Sequence, residues 1–301
     1  MNWRLHISNQ PLRRVNLLPG NQPQVAVTET RTRVRFYDAA SGAHYSDLEL
    51  DVDLLDRDEP AERRAGLQQL RAPNQAYLPL LEFGSSYLYT SNDGQLHLIH
   101  DQHAGISLEV DDDIIPLDVG SDSEVLLVAL ERELGTIAAL TGDQRLHIFQ
   151  QQTRQSTFSL GDTAVLNCFL VNGGSQLVLV EPDRLRLLDT TGKTLLTQSI
   201  HYAIGLAAIS SNGNWLVVSD AEYQLLRLYN YELVPVRQQH AIDLLMEARQ
   251  LQLFANYPAD FAPISALDIT NSGLIAFALG GTLCVTHTER LTALPQPRRL
   301  L

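Results

Sequence analysis

Short segments in which apolar and polar residues alternate recur along the chain and predict half-buried β-strands. In the segment from Asp183 to Gly192, Leu185 and Leu187 lie on one face of the predicted strand, and a Thr-Thr-Gly turn follows. The same pattern recurs in five other segments, which predict five further strands. These copies run from Arg33 to Asp38, Gln95 to Asp101, Arg145 to Gln150, Tyr223 to Glu232 and Thr282 to His287.

The spacing of the six copies predicts a structural repeat. Their shortest intervals agree with the roughly 40 to 45 residues of one four-stranded propeller blade. The longer intervals therefore contain insertions. The alternating pattern ends in the six copies at Asp38, His100, Gln150, Asp189, Asn230 and His287. Successive ends are 62, 50, 39, 41 and 57 residues apart.

A second repeated feature precedes several of these strands. Two apolar strands are joined by a turn rich in Ser, Asn and Gly, and the clearest example runs from Ile209 to Val218. Its Asn212-Gly213 pair favours the positive φ angles that tight hairpin turns require. The same hairpin recurs from Val171 to Val178 and from Ile269 to Phe277. One repeat thus holds an apolar strand, a turn, a second apolar strand and the alternating third strand.

In this order of strands and turns the chain resembles the WD-repeat and related β-propeller superfamily. The resemblance extends over nearly the whole chain in pattern and is strongest from Ala164 to Ser199 and from Ala203 to Val236. The chain contains no Trp-Asp or Gly-His dipeptide, and the aspartate that ends the third strand is kept only at Asp38 and Asp189. The resemblance therefore implies a divergent propeller.

Six third strands predict an all-β fold, a single β-propeller of six four-stranded blades formed by residues 1–301. A seventh blade in the long interval between Asp38 and His100 is the alternative. The segment from Trp3 to Ser8 alternates like a strand but has no partner nearby in the sequence. We expect it to complete the last blade and close the ring, which removes an open sheet edge.

Two insertions interrupt the repeat, at about residues 51–74 and 240–258. The first begins with an acidic run and continues through Pro60 into a short helical pattern. The second places apolar residues at helical spacing. Its stripe has two interpretations: it packs against the neighbouring blades, or part of it stays exposed and binds a protein partner. The candidate partner-binding residues are Leu244, Leu245 and Leu251.

Charge and composition narrow the functional classes. The 22 basic and 35 acidic residues give a formal net charge of −13, so the attraction for phosphates that nucleic-acid binding needs is missing. The N-terminus lacks the apolar core of a signal peptide, and the longest apolar stretch, Gly273 to Val285, is 13 residues and too short to span a bilayer. We therefore expect a cytoplasmic protein without nucleic-acid or membrane partners. Cys168 and Cys284 lie in apolar runs and are expected to be buried free thiols.

Few residues suggest site chemistry. His97, His100 and His103 resemble metal ligands by spacing, but on a strand His97 and His100 face opposite ways. The acidic run from Asp111 to Asp113 is expected to be a solvated rim. We therefore predict no catalytic residue, no metal site and no cofactor.

The predicted function is a non-enzymatic scaffold for protein–protein interaction, with an unidentified protein as partner. The alternative is a propeller enzyme, similar to lactonases or hydrolases, that holds a divalent metal in the central channel. An extracellular binding module is a third class, which the missing signal peptide disfavours. Metal analysis of the purified protein distinguishes the first two.

Overall fold

The computed structural model describes residues 3–57, 59–83, 85–101, 105–110, 113–120, 123–222, 224–247, 249–250 and 263–295. These residues form six sheets arranged as a six-bladed propeller, so the predicted all-β fold is confirmed. No seventh blade is present in the described parts of the chain. Within each sheet, strands that follow one another in sequence pair antiparallel.

The first three blades contain the N-terminal half of the propeller. Blade 1 consists of β2 (Arg14–Leu18), β3 (Gln24–Thr30), β4 (Arg33–Asp38) and β5 (His44–Glu49). Blade 2 consists of β6 (Leu80–Phe83), β7 (Ser86–Thr90), β8 (His97–Asp101), β9 (Gly105–Val110) and β10 (Asp113–Pro116). Blade 3 consists of β11 (Val125–Leu130), β12 (Thr136–Thr141), β13 (Arg145–Gln150) and β14 (Thr153–Ser159).

The last three blades follow the same order. Blade 4 consists of β15 (Asn167–Val171), β16 (Gln176–Val180), β17 (Arg184–Asp189) and β18 (Thr194–Ser199). Blade 5 consists of β19 (Ile204–Ile209), β20 (Trp215–Asp220), β21 (Leu225–Asn230), β22 (Pro235–His240) and the short β27 (Thr292–Ala293). Blade 6 consists of β24 (Ile264–Ile269), β25 (Leu274–Leu279), β26 (Thr282–His287), β1 (Trp3–His6) and the short β23 (Arg249–Gln250).

The N-terminal strand closes the ring, as the sequence predicts. β1 pairs antiparallel with β26, so that Trp3 lies opposite Val285. The Trp3 side chain is buried, and its indole Nε1–H donates to the carbonyl of Ala39 in blade 1 at 2.9 Å. After β1 the chain passes directly over Gly281, where a Cβ atom would lie 1.6 Å from the carbonyl oxygen of Ser8. Blade 6 therefore joins the two ends of the propeller and contacts blade 1.

Blade 2 carries one strand more than predicted on its inner side. We call the side of the ring with the turns between first and second strands the front face, and the opposite side the back face. The turn after β7 lies on the front face, because the N–H of Asn92 donates to the carbonyl of Arg132 in the first turn of blade 3. β7 is thus the first strand, and β6 is an extra strand nearer the axis. The segment from Gln95 to Asp101, predicted as a third strand, is the second strand of this blade.

The first insertion forms a helix that is fixed to blade 2 by a buried ion pair. The helix α1 (Pro60–Gln68) begins with Pro60, as predicted. Arg63 and Glu109 of β9 have side chains only 6% and 4% exposed, and Arg63 Nε donates to Glu109 Oε1 at 3.2 Å. Arg63 Nη1 also donates to the carbonyl of Arg57 at 2.8 Å. The excess length between Asp38 and His100 is therefore used by this helix and by β6.

Replacing Arg63 with Ala should destabilise the fold by about 3–5 kcal/mol, because it leaves the carboxylate of Glu109 buried without a counter-charge. The carboxylate oxygen Glu109 Oε2 already lacks a hydrogen-bond partner. The double variant Arg63→Met with Glu109→Leu should recover most of the loss, since both charges are then removed. Chemical denaturation of the three proteins measures the effect. A double variant no more stable than Arg63→Ala would contradict the role of the ion pair.

The second insertion forms the helix α2 (Ala241–Glu247), which is shorter than its sequence pattern predicts. Arg249 and Gln250 already belong to β23, which pairs parallel with β1. The helix therefore ends because the chain pairs with β1 at the outer edge of blade 6, although apolar residues continue at helical spacing in the sequence. Leu251 lies outside the described residues. The two cysteines, Cys168 and Cys284, are buried free thiols as expected, and burial raises the pKa of Cys168 to about 12.

Candidate functional site

A propeller can assemble a site from several blades in its central channel. In this protein β6, the innermost strand of blade 2, borders that channel. An edge strand normally exposes one face, but Leu81, Glu82 and Phe83 are all buried. Leu81 and Phe83 pack in one cluster with Leu18 of β2. These two side chains therefore pack between blades 1 and 2, and β6 itself forms the inner edge of blade 2.

Glu82 is the charged residue of this inner strand, and arginines near the back face neutralise it. The guanidinium of Arg13 donates to Glu82 through both Nη2, at 2.6 Å, and Nε, at 3.3 Å. Arg31 lies 3.4 Å from the same carboxylate. The hydrogen bond to Glu82 raises the pKa of Arg13. This cluster joins blade 1 to the inner strand of blade 2, and Glu82 acts as an anchor.

A second charged cluster lies at the front end of the channel. Arg132 follows β11 and donates to the carbonyls of Thr90, at 2.7 Å, and Tyr77, at 3.1 Å. Burial lowers the pKa of Arg132 to about 10, against the opposing charge of Asp268. Since Arg132 belongs to blade 3 and Asp268 to blade 6, this attraction acts between opposite sides of the ring.

Asp268, on the first strand of blade 6, has a carboxyl group whose pKa is raised. Burial raises the pKa of Asp268 to about 6, although hydrogen bonds from the N–H groups of Leu17 and Ile269 and the charge of Arg132 act in the opposite direction. Its Oδ2 accepts from Leu17 N–H at 2.6 Å. Such a carboxyl group can serve as a general acid or base elsewhere, but here it connects the first strands of blades 6 and 1.

Asp268 and Glu82 are not among the residues predicted from the sequence. A usable signal was nevertheless present, since each is the single acidic residue inside an apolar strand, Ile-Ser-Ala-Leu-Asp-Ile and Leu-Leu-Glu-Phe. A lone carboxylate on a strand this close to the axis must find a partner, because a buried charge without one is costly. The partners come from other blades and are distant in sequence.

The histidine candidates lie on β8 and face opposite ways, as expected. His97 Nδ1 lies 3.4 Å from Thr90 Oγ1, and burial lowers the pKa of His97 to about 4. His100 Nε2 lies 3.0 Å from the carbonyl of Val125 in blade 3. His103 lies outside the described residues, as do Asp111 and Asp112, while Asp113 begins β10. Among the described residues, no three His, Cys, Asp or Glu side chains are grouped to hold a metal ion.

The structure places two of the three candidate partner-binding leucines in the core. Leu244 is 0% and Leu245 1% exposed. Both pack in a cluster with Leu226 of blade 5 and Phe277 of blade 6. This burial corresponds to the first of the two interpretations, in which the helix covers the gap between blades. Binding of a partner by the insertion stays a prediction, and its contacts would come from other side chains.

Two grooves flank the outer strand β5 of blade 1. One, of about 680 Å³, lies between β1 and the turn after β4 and is lined by Leu5, Tyr37 and His44. The other, of about 550 Å³, lies between β5 and the first insertion and is lined by Leu48 and Gln68. Asp47 lines both grooves. These concave surfaces are on the rim, outside the channel.

The helices within the described ranges lack the length and hydropathy that a membrane-spanning helix needs.

No family model matches the chain, and no curated protein matches its sequence. The chain is similar to 1466 chains of solved structures, so the likeness concerns a widely shared fold. One is the crystal structure of Chaetomium thermophilum Raptor, with 9% identity and a TM-score of 0.56 over 95% of this chain and 24% of that chain. The chain thus spans about a quarter of that neighbour, and the likeness shows the six-bladed propeller fold alone.

Proposed function

We propose that the protein is a non-enzymatic platform for protein–protein interaction. The observation that carries this proposal is the extra strand β6 on the inner side of blade 2, where a propeller enzyme would assemble its site. Leu81 and Phe83 of this strand pack against blade 1, and the nearby charged groups hold strands together. Such a platform binds its partner through its outer surfaces and catalyses no reaction.

The architecture suits this role because it fixes surface loops in space. Hydrophobic clusters span neighbouring blades, for example Leu140 of blade 3 with Leu177 of blade 4. The front-face turns also bond to one another, since Asn271 of blade 6 accepts hydrogen bonds from Ser211 and Asn212 of blade 5. Loops held in this way lose little conformational entropy when a partner binds.

The first insertion is the surface we assign to the partner. It is not needed to build a blade, and the exposed carboxylates of Asp53, Asp56, Glu59 and Glu62 lie on it. The net charge of the whole chain is −13. A protein partner with a basic surface would therefore be attracted and oriented by this insertion.

The test is reconstitution with purified components. Proteins that co-purify with the full chain are produced separately, and their binding is measured by calorimetry at low and high salt. We expect binding that weakens as salt increases. The triple variant Asp53→Asn, Asp56→Asn, Glu62→Gln should weaken it about tenfold, since three charge contacts of about 0.5 kcal/mol each correspond to that factor. The control variant Glu133→Gln, Glu222→Gln removes exposed carboxylates elsewhere and should leave binding unchanged.

Two results would contradict the proposal. If no co-purifying protein binds in the reconstituted system, the platform has no partner to support it. If metal analysis of the purified protein gives one divalent ion per chain, the enzyme alternative gains support. The second measurement needs no knowledge of the partner.

A further inference from the structure

The outer edges of the six blades differ in how they are protected. Exposed edge strands are templates for pairing, and proteins usually block them with charges, proline or a covering segment. Blades 5 and 6 are covered, because β27 pairs with β22 and β23 pairs with β1. The other outer strands β5, β10 and β14 carry blocking residues, namely Asp47 and Glu49, Asp113 and Pro116, and Arg154.

Strand β18 of blade 4 has none of these protections. Its sequence is Thr-Leu-Leu-Thr-Gln-Ser, without a charge or a proline, and no described strand pairs with its outer side. Leu195 and Leu196 are each 39% exposed. Among the described outer strands, this is the one that presents apolar side chains on an open, uncharged edge.

The register of blade 4 shows which backbone groups of β18 face outward. The N–H of Ile200 donates to the carbonyl of Asp183 at 2.7 Å, so these two residues form a hydrogen-bonded pair. Hydrogen-bonded and non-bonded pairs alternate along an antiparallel ladder. Leu196 and Gln198 therefore bond toward β17, whereas the N–H and C=O groups of Thr197 and Ser199 point away from the sheet.

We propose that β18 pairs antiparallel with β18 of a second copy of the chain, about a two-fold axis at Thr197. This register places Thr197 opposite Thr197, a favourable cross-strand pair, and joins two blades into one continuous sheet. Leu196 of each copy then lies beside Gln198 of the other. The same arrangement through β5 or β14 would bring like charges together, because those strands carry Asp47 and Glu49 or Arg154.

The size and charge of the contact determine how the dimer behaves. One strand from each copy is a small interface, so the dimer forms at high protein concentration. The two copies each carry a net charge of −13 and repel one another at low salt. Salt screens that repulsion but does not weaken backbone hydrogen bonds to the same extent, so dimerisation should increase with salt. Dimerisation that increases with salt is the opposite of the salt dependence expected for binding of the basic protein partner. The dimer proposal does not rest on the proposed function.

The experiment is sedimentation equilibrium of the full chain across a concentration series, at about 50 mM and about 500 mM salt. For the unaltered protein the average mass should rise above 33.5 kDa towards twice that value, and more so at high salt. Thr197→Pro should abolish the rise in mass, because it removes the N–H that pairs across the two-fold axis. The fold should persist, since that N–H points away from the sheet and an edge strand tolerates its loss. Thr197→Val keeps that N–H and the β-branched shape and should dimerise as before.

Leu196→Lys provides a second, independent test. It places like charges on both sides of the two-fold axis and should also abolish the dimer, and the partial exposure of Leu196 allows the fold to persist. This variant decides the matter if Thr197→Pro unfolds, as checked by circular dichroism. A monomer at all concentrations and salts overturns the proposal. So does a dimer that Leu196→Lys leaves unchanged, because it would use another surface.

Discussion

The double variant Leu244→Asp, Leu245→Asp should fail to fold. Both leucines are buried in the cluster that joins α2 to blades 5 and 6. Two carboxylates placed there would have no counter-charge, and burying an unpaired charge costs several kcal/mol each. That total reaches the whole stability of about 5–15 kcal/mol that a folded domain commonly has. We expect insoluble protein or a circular dichroism spectrum without the strand signal.

A milder variant measures the same contact, and a control variant tests the effect of the charge elsewhere. Leu244→Ala should fold and lose about 2–5 kcal/mol, the usual cost of emptying a buried leucine site. The matched control is Leu134→Asp, because Leu134 is 59% exposed and should tolerate the charge. A folded double variant with an unchanged melting temperature would show that α2 does not pack on the blades. Leu244 and Leu245 would then become candidates for partner contacts again.

Removing residues 1–9 should destabilise the entire ring. The truncated chain loses the burial of Trp3 and Leu5, each worth roughly 1.5–3 kcal/mol or more, and exposes the outer edge of β26. The bond from Trp3 to blade 1 is lost as well. We expect the melting temperature to fall by about 10 °C or more, or the protein to aggregate.

Two controls separate ring closure from a general effect of truncation. Arg4→Ala keeps the strand and removes a partly exposed side chain, so its melting temperature should remain close to that of the full chain. A synthetic peptide of residues 1–9, added in excess to the truncated protein, should raise the melting temperature by mass action. A truncated chain that melts at the original temperature would mean that β1 does not hold the ring closed.

The repeat was predictable because each blade imposes the same local rules. Alternation with a period of two marks a strand half buried between blades, and the turns need Asx and Gly whatever the partner. Five of the six third strands, among them β13 and β26, were therefore located from the sequence. Closure by β1 followed from a strand that had no local partner.

The errors have a common physical origin, which is pairing between segments distant in sequence. The short apolar segment Leu80–Phe83 does not reveal whether it lies inside or outside β7. The helical spacing after His240 predicted which residues are apolar, but the pairing of β23 with β1 ends the helix early. Likewise, the environment of Asp268 depends on Leu17 and Arg132, which belong to other blades.

The pairing of β1 with β26 has a consequence for biosynthesis. Trp3 and its partner Val285 are separated by nearly the whole chain. At the usual rate of about 5–20 residues per second, a ribosome needs roughly 15 to 60 seconds to deliver the second strand after the first. During that time blade 1 can already cover the indole of Trp3, but the backbone of β1 lacks its partner strand β26. Open strand edges of this kind are where nascent chains aggregate or recruit chaperones. Expression yield should therefore depend on chaperone capacity during synthesis as well as on the stability of the finished ring.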